Sequence, residues 1–256
     1  MKLRGSRIVW TLAGAGLLLA GCASRSQNDA DHGLSAAARL RVAEASEASG
    51  DQQTAASMYL AAANDAPADT AVQLRSAEGL ARNNRLDGAE SILRRRLQTD
   101  PKQLDLLRTL GAVQVMAGEP SQALQTLSRV LTNQPEDIKA LVNKAVALDM
   151  LHRHPEAQAL YGKALAQSPG DVAASNDLAL SLLLSGRPAE AQRVLAPFGP
   201  AAGLPQRIRT NLGIIDAASG RPADAQGLLG SRIDAAGLAT LTQAIGRAAT
   251  ADRSHP

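Results

Sequence analysis

Leu104–Asp137, LDLLRTLGAVQVMAGEPSQALQTLSRVLTNQPED, lies over Ile138–Asp171, IKALVNKAVALDMLHRHPEAQALYGKALAQSPGD, without a gap. Small residues coincide at Gly111 and Ala145, alanines at Ala123 and Ala157, prolines at Pro135 and Pro169, and aspartates at Asp137 and Asp171. The register is i to i+34, and it extends in both directions. Ala55, Ala89, Ala123, Ala157, Ala191 and Ala225 form one ladder, and Pro67, Pro101, Pro135 and Pro169 a second. Ala43, Ala77, Gly111, Ala145, Ala179 and Gly213 form a third, small at every rung. Six units from Ala36 to Ala239 imply a solenoid, in which each unit buries its apolar face against the next.

Each unit reads as helix, tight turn, helix. The rung that closes the first helix is Gly50, Asn84, Gly118, His152, Gly186 and Gly220. Glycine ends a helix in the left-handed region without steric cost, and Asn and His are the side chains most tolerated there. Proline follows at the start of the second helix at Pro120, Pro188 and Pro222, and one residue later at Pro155, where a missing N–H costs nothing. Asp69, Asp137 and Asp171 are placed to cap the next first helix. The unit from Val172 lacks its closing proline, and Pro197, Gly199 and Pro200 should break its second helix early. The last unit fades after Leu229. Leu238, Leu241 and Ile245 then keep an apolar helical spacing, as the end helix of an array requires.

Composition fits this reading. Of 256 residues, 45% are hydrophobic and only 2% aromatic, so the core must be built from Ala, Leu and Val at close helix contacts. The net charge of +3 resides in Lys2, Arg4 and Arg7, because the chain holds no acid before Cys22. The remaining chain carries 24 basic and 24 acidic side chains, which gives nucleic acid no basic face to bind. Cys22 is the one cysteine, so neither a disulfide within the chain nor a cysteine zinc cluster is available.

The N-terminal basic residues precede an apolar run from Ile8 to Ala20. That run is shorter than the roughly 20 residues that span a bilayer. It ends in Leu19-Ala20-Gly21-Cys22, which resembles the bacterial lipoprotein signal at all four positions. The resemblance implies cleavage before Cys22 and acylation of that residue, with palmitate-like chains as the membrane anchor. Ala23, rather than Asp, follows the cysteine, which by the lipoprotein sorting rule implies the periplasmic face of the outer membrane. The expected organisation is a signal peptide over 1–21, an acylated Cys22 with a flexible linker over 22–35, six repeats over 36–239, and the end of a capping helix with a tail over 240–256.

The repeat itself, with small residues in the first helix, Gly at the turn, Ala opening the second helix and Pro at its end, resembles the tetratricopeptide repeat. That implies an all-α, right-handed solenoid of six helix pairs. A narrower resemblance lies in Asn176-Asp177-Leu178-Ala179-Leu180-Ser181, in Leu184-Ser185-Gly186-Arg187-Pro188-Ala189-Glu190-Ala191 and in Arg209-Thr210-Asn211-Leu212-Gly213. These are similar to the TadD lipoproteins of Tad (Flp) pilus assembly and cover about a third of the chain. With the related pilotin lipoproteins of type IV pili, they imply a scaffold that binds a secretin or another pilus or secretion component. A lipoprotein regulator of a peptidoglycan synthase or a protease is the alternative.

No residues for catalysis stand out. There is no glycine-rich phosphate loop, no Gly-x-Ser-x-Gly and no pair of histidines at helical spacing, so no enzyme, cofactor or metal is expected. His152 and His154 fall in a turn without a third ligand. What remains is surface. Counting from the small rung places Val115, Met116, Val146, Met150, Leu180, Leu183, Leu184 and Ile214 on the concave side, flanked by Asn143, Asn176 and Asn211. Such a stripe is either a groove for an amphipathic helix or extended segment, centred on Met150 and Leu183, or interhelical core. Arg41, Glu44, Arg75, Glu78 and Arg82 make the first two units a solvated wall.

Overall fold

The computed structural model describes residues 33–198, 203–230 and 233–252. The lipoprotein-like segment, Cys22 and most of the linker lie outside the described residues, as do Gly199, Pro200 and the tail from residue 253. The repeats form one unit that starts at Ala36. Its first helices are α1 (Ala36–Ala48), α3 (Thr70–Arg82), α5 (Leu104–Met116), α7 (Ile138–Met150), α9 (Val172–Leu184) and α11 (Gln206–Ala218). Each starts at i+34 from the one before, and each has 13 residues. The second helices are α2 (Gln52–Asp65), α4 (Leu86–Thr99), α6 (Pro120–Asn133), α8 (His154–Gln167), α10 (Pro188–Leu195) and α12 (Pro222–Leu229). α13 (Ala235–Asp252) ends the described chain. It is one helix across residue 239.

Every turn closes the same way. Gly50, Asn84, Gly118, His152, Gly186 and Gly220 all have φ between 56° and 85°. The next residue then returns its N–H to a carbonyl five positions back, as Arg85 does to Leu80 at 2.8 Å and Arg153 to Leu148 at 2.9 Å. That satisfies carbonyls the helix end would otherwise leave open. Asp69, Asp137 and Asp171 accept from the first-turn N–H groups of α3, α7 and α9, and Asp51 does the same for α2.

The alanine ladder is the contact between the two helices of a unit, and all six alanines are fully buried. Gly111 shows how close the approach is: a methyl group there would lie 2.5 Å from Leu127. A second fit runs between units. Tyr59 of α2 lies flat on Gly79 of α3, where a Cβ would meet its ring at 2.3 Å. Tyr161 of α8 and Ser181 of α9 hold the same two register positions. Where the second helix has leucine instead, at Leu93, Leu127 and Leu195, the next unit carries Val113, Ala147 and Ile215, and each pair shares one buried cluster. Tyrosine thus stands opposite the small Gly79 or Ser181, while leucine stands opposite residues as different as Ala147 and Ile215.

As expected, the fifth unit breaks early. α10 has 8 residues and passes into a short 3-10 turn at Ala196–Phe198. Consecutive first helices pack on one another, while the second helices make their main contacts with first helices. The array therefore curves with its first helices on the inner side.

Candidate functional site

The inner face of each first helix is set by register. Its positions are Arg75, Thr109, Asn143, Asp177 and Asn211; then Glu78, Ala112, Val146, Leu180 and Ile214; then Arg82, Met116, Met150, Leu184 and Ala218. Within each row the step is i to i+34; between rows it is i to i+3 or i+4, the spacing that keeps side chains on one side of a helix. The last row is the exposed one. Met116, Met150 and Leu184 are 55%, 41% and 43% accessible, three of the few large apolar side chains left in water. Val146, Leu180 and Ile214 are half-buried and rest on the core clusters behind them. Asn143 is half-buried on the inner face.

Three expected positions turn out otherwise. Leu183 is 3% accessible and belongs to the core between α9, α10 and α11. Val115 shares its row and packs half-buried against the preceding cluster. Asn176 is fully buried: its Oδ1 accepts from Asn211 Nδ2 at 2.9 Å, and its own Nδ2 donates to Asp177 at 3.2 Å. The residue that belongs in the Asn143 and Asn211 row is Asp177. Burial pushes its carboxyl above the usual carboxylate range, partly offset by Asn176 and Arg207.

The charged end is also more than a solvated wall. A pocket of about 290 Å³ opens between α3, α5 and α7, with Ala112, Val113 and Met116 as its floor and Glu78, Arg82, Arg108, Lys139 and Asn143 around it. Its arginines are anchored. Arg82 donates to Glu47 at 2.8 and 3.0 Å and to the Tyr59 hydroxyl at 3.2 Å, and that hydroxyl donates to Glu47 at 2.7 Å. Hydrogen bonding from Arg82 holds the Glu47 carboxyl below its usual range. Burial and then Glu47 push the Tyr59 phenol up to about 12. Arg108 bridges Asp137 at 2.7 Å and Asp105 at 2.9 Å. These ties lock adjacent units together and fix the guanidinium groups at the pocket rim. The sequence offered a signal for Arg82 and Met116, which share a row, but none for Arg108, which reaches the pocket from the neighbouring position.

A second polar cluster lies inside the array. Asp149 Oδ1 meets both His154 Nδ1 and Ser181 Oγ at 2.7 Å, and Gln158 Nε2 reaches Ser185 at 2.9 Å. Asp, His and Ser together invite a catalytic reading, but the geometry is different. The serine hydroxyl donates to the carboxylate rather than to the imidazole, and His154 and Ser181 are both buried. The cluster clips α7, α8 and α9 together. Among the described residues no group of three or more His, Cys, Asp or Glu could hold a metal, and no helix is long and apolar enough to cross a membrane.

Comparison with known proteins agrees with the geometry. The tetratricopeptide repeat model matches residues 80–145 and 150–203. Protein y4yS of Sinorhizobium fredii is 40% identical over 75 residues, 29% of this chain and 41% of that relative, so the match spans about two fifths of the relative's own length. A tetratricopeptide repeat protein from Parabacteroides merdae superposes with a TM-score of 0.66 at 14% identity, over 86% of this chain and 87% of its own. PilW, described as a widely conserved type IV pilus biogenesis factor, gives 0.65 at 18% identity, over 80% and 97%. At such identities the likeness is one of fold. The repeat model thus matches the central units, a little under half of the chain, and the array has the fold of tetratricopeptide repeat structures.

Proposed function

We propose that this chain is a lipid-anchored scaffold whose concave face holds a segment of a pilus or secretion machine, with a secretin or a protein that assembles with it as the partner. The observation that carries the reading is the exposed row Met116, Met150 and Leu184. Three successive units each leave a large apolar side chain in water at the same register. Burying such surface returns about 25 cal/mol per Å², which an apolar partner helix would recover, and methionines adapt to its shape. Isolated exposed apolar residues need no explanation, but a contiguous row does.

The lipid anchor rests on the complete match at Leu19-Ala20-Gly21-Cys22, and the outer membrane on Ala23 after it. The pilus assignment is supported by the resemblance of the second half to the TadD lipoproteins. That a solved structure of like fold is a type IV pilus biogenesis factor is consistent with it. The test is capture of the periplasmic part of the cognate secretin by the full chain. Met150→Glu places an unpaired charge at the centre of the row and should weaken capture by about tenfold or more. Circular dichroism should be unchanged. A folded Met150→Glu protein and a folded Leu184→Glu protein that both capture the secretin at wild-type affinity would refute the concave site.

A further inference from the structure

The inner face is not open along its whole length. α13 begins beyond the last unit, where Leu238 is buried with Ala217, Ala225 and Leu229. A helix that only capped the stack would continue along α11 and α12, in the place of a seventh first helix. α13 packs instead on α11 and on α9. It therefore turns back along the array. α9 and α11 are neighbouring first helices backed by α10 and α12, and the side they share away from those two is the concave one. Eighteen residues give α13 a length of about 27 Å, enough to cross two helices packed about 8–10 Å apart.

We propose that α13 is an intramolecular occupant of the groove, held on the fifth and sixth units in the way a partner's helix is held, and that the two compete. The partner segment is then a helix of the same chemistry as α13. Its sequence, AAGLATLTQAIGRAATAD, sets Leu238, Leu241 and Ile245 on one helical stripe among alanines and glycines. A face of that kind comes close to its neighbour, and α9 and α11, on which α13 packs, carry Leu180 and Ile214 on their inner side. The charged end of the face, with Glu78 and Arg82, offers no such surface. The open Met116 and Met150 positions, continuous with the covered ones, are where an incoming helix gains its first hold before it displaces α13. This inference rests on the concave face being the binding surface.

The test uses a fluorescein-labelled peptide of residues 235–252 and the full chain. Ala244→Pro interrupts α13 beyond the capping residue Leu238, so the last unit keeps its cover while the groove is released. Fluorescence anisotropy should show the peptide binding the Ala244→Pro chain about tenfold more tightly than the wild type, the ratio expected if the groove is free about one tenth of the time in the wild type. Adding Leu180→Glu to Ala244→Pro should remove that gain, with melting by circular dichroism confirming that each variant is folded. Equal binding to wild type and Ala244→Pro, or a gain that survives Leu180→Glu, overturns the proposal. If that happens while Met150→Glu still loses the secretin, the occupancy by α13 fails and the concave binding site stands.

Discussion

Gly79→Ala separates packing from helix propensity at a single position. On an exposed helix the change stabilises by about 1 kcal/mol, because glycine loses more backbone freedom on folding. Here the new methyl would lie 2.3 Å from Tyr59 Cζ, against the 3.5–4.0 Å of an ordinary carbon contact, so the ring must move by more than 1 Å. The ring is fully buried and its hydroxyl is tied to Glu47 at 2.7 Å, so it has nowhere to retreat without giving up that bond. Overpacking costs about 1–3 kcal/mol and the strained hydrogen bond about 1 kcal/mol more. The net effect should be a loss of about 1–3 kcal/mol in urea unfolding followed by circular dichroism. In a Tyr59→Leu background the ring is gone, as it is in the units that carry Leu93 or Leu127. The same Gly79→Ala change should then be neutral or stabilising, giving a coupling of about 2 kcal/mol or more in a double-mutant cycle. If Gly79→Ala costs the same in both backgrounds, within about 0.5 kcal/mol, the fit of large to small side chains between units is wrong.

Asp149→Ala removes the acceptor shared by His154 Nδ1 and Ser181 Oγ, two buried groups, and should cost about 2–4 kcal/mol in the same unfolding assay. The Tyr59 phenol is raised to about 12 in the fold from 10.0, so the unfolded chain loses its proton first. Its contribution is whole below pH 10 and is lost as the pH rises towards 12, and Tyr59→Phe should flatten the fall in stability over that range. Tyr161 is raised too, by burial and by Asp149, and should account for part of the slope that remains. Cys22→Ser should move the protein from the membrane to the soluble fraction, with loss of labelled palmitate; sedimentation with outer membrane in a strain lacking the partner would count against the anchor. Leu183→Glu should lower the melting temperature sharply, whereas Leu184→Glu should leave it nearly unchanged.

The backbone was legible because its signals are local and repeated. Each turn needs a residue at positive φ, each second helix starts with a proline or after a tight turn, and several first helices are capped by an aspartate just ahead of them. A single weak signal of this kind decides little, but six copies at one interval reinforce one another, and helix starts follow to the residue. The contacts between units were not legible in the same way. Tyr59 on Gly79 and Asp149 on Ser181 join side chains 20 and 32 positions apart, at intervals other than 34. The ladders that define the repeat do not contain these pairs. Only after the helices are stacked does the size of one side chain explain the smallness of another.

The concave face was half legible for a reason that lies in helix geometry. Successive residues on a helix diverge by about 100°, so Leu183 and Leu184 cannot both belong to a narrow inner stripe. Composition cannot choose between them, since both are leucine. Register can. Leu184 shares its row with Met116 and Met150, whose side chains stay in water, and Leu183 shares its row with Asp149, which points between units at His154 and Ser181. The same test moves Asn176 off the face and puts Asp177 on it, because only Asp177 stands at i+34 from Asn143 and at i−34 from Asn211. The inner face that results is graded rather than uniform. Anchored arginines and a pocket mark the second and third units, exposed apolar ends follow in the third, fourth and fifth, and α13 packs on the first helices of the last two. A partner that reads the whole face must therefore bring an apolar helix to the middle and polar groups to the arginines at one end, and must displace the chain's own helix at the other.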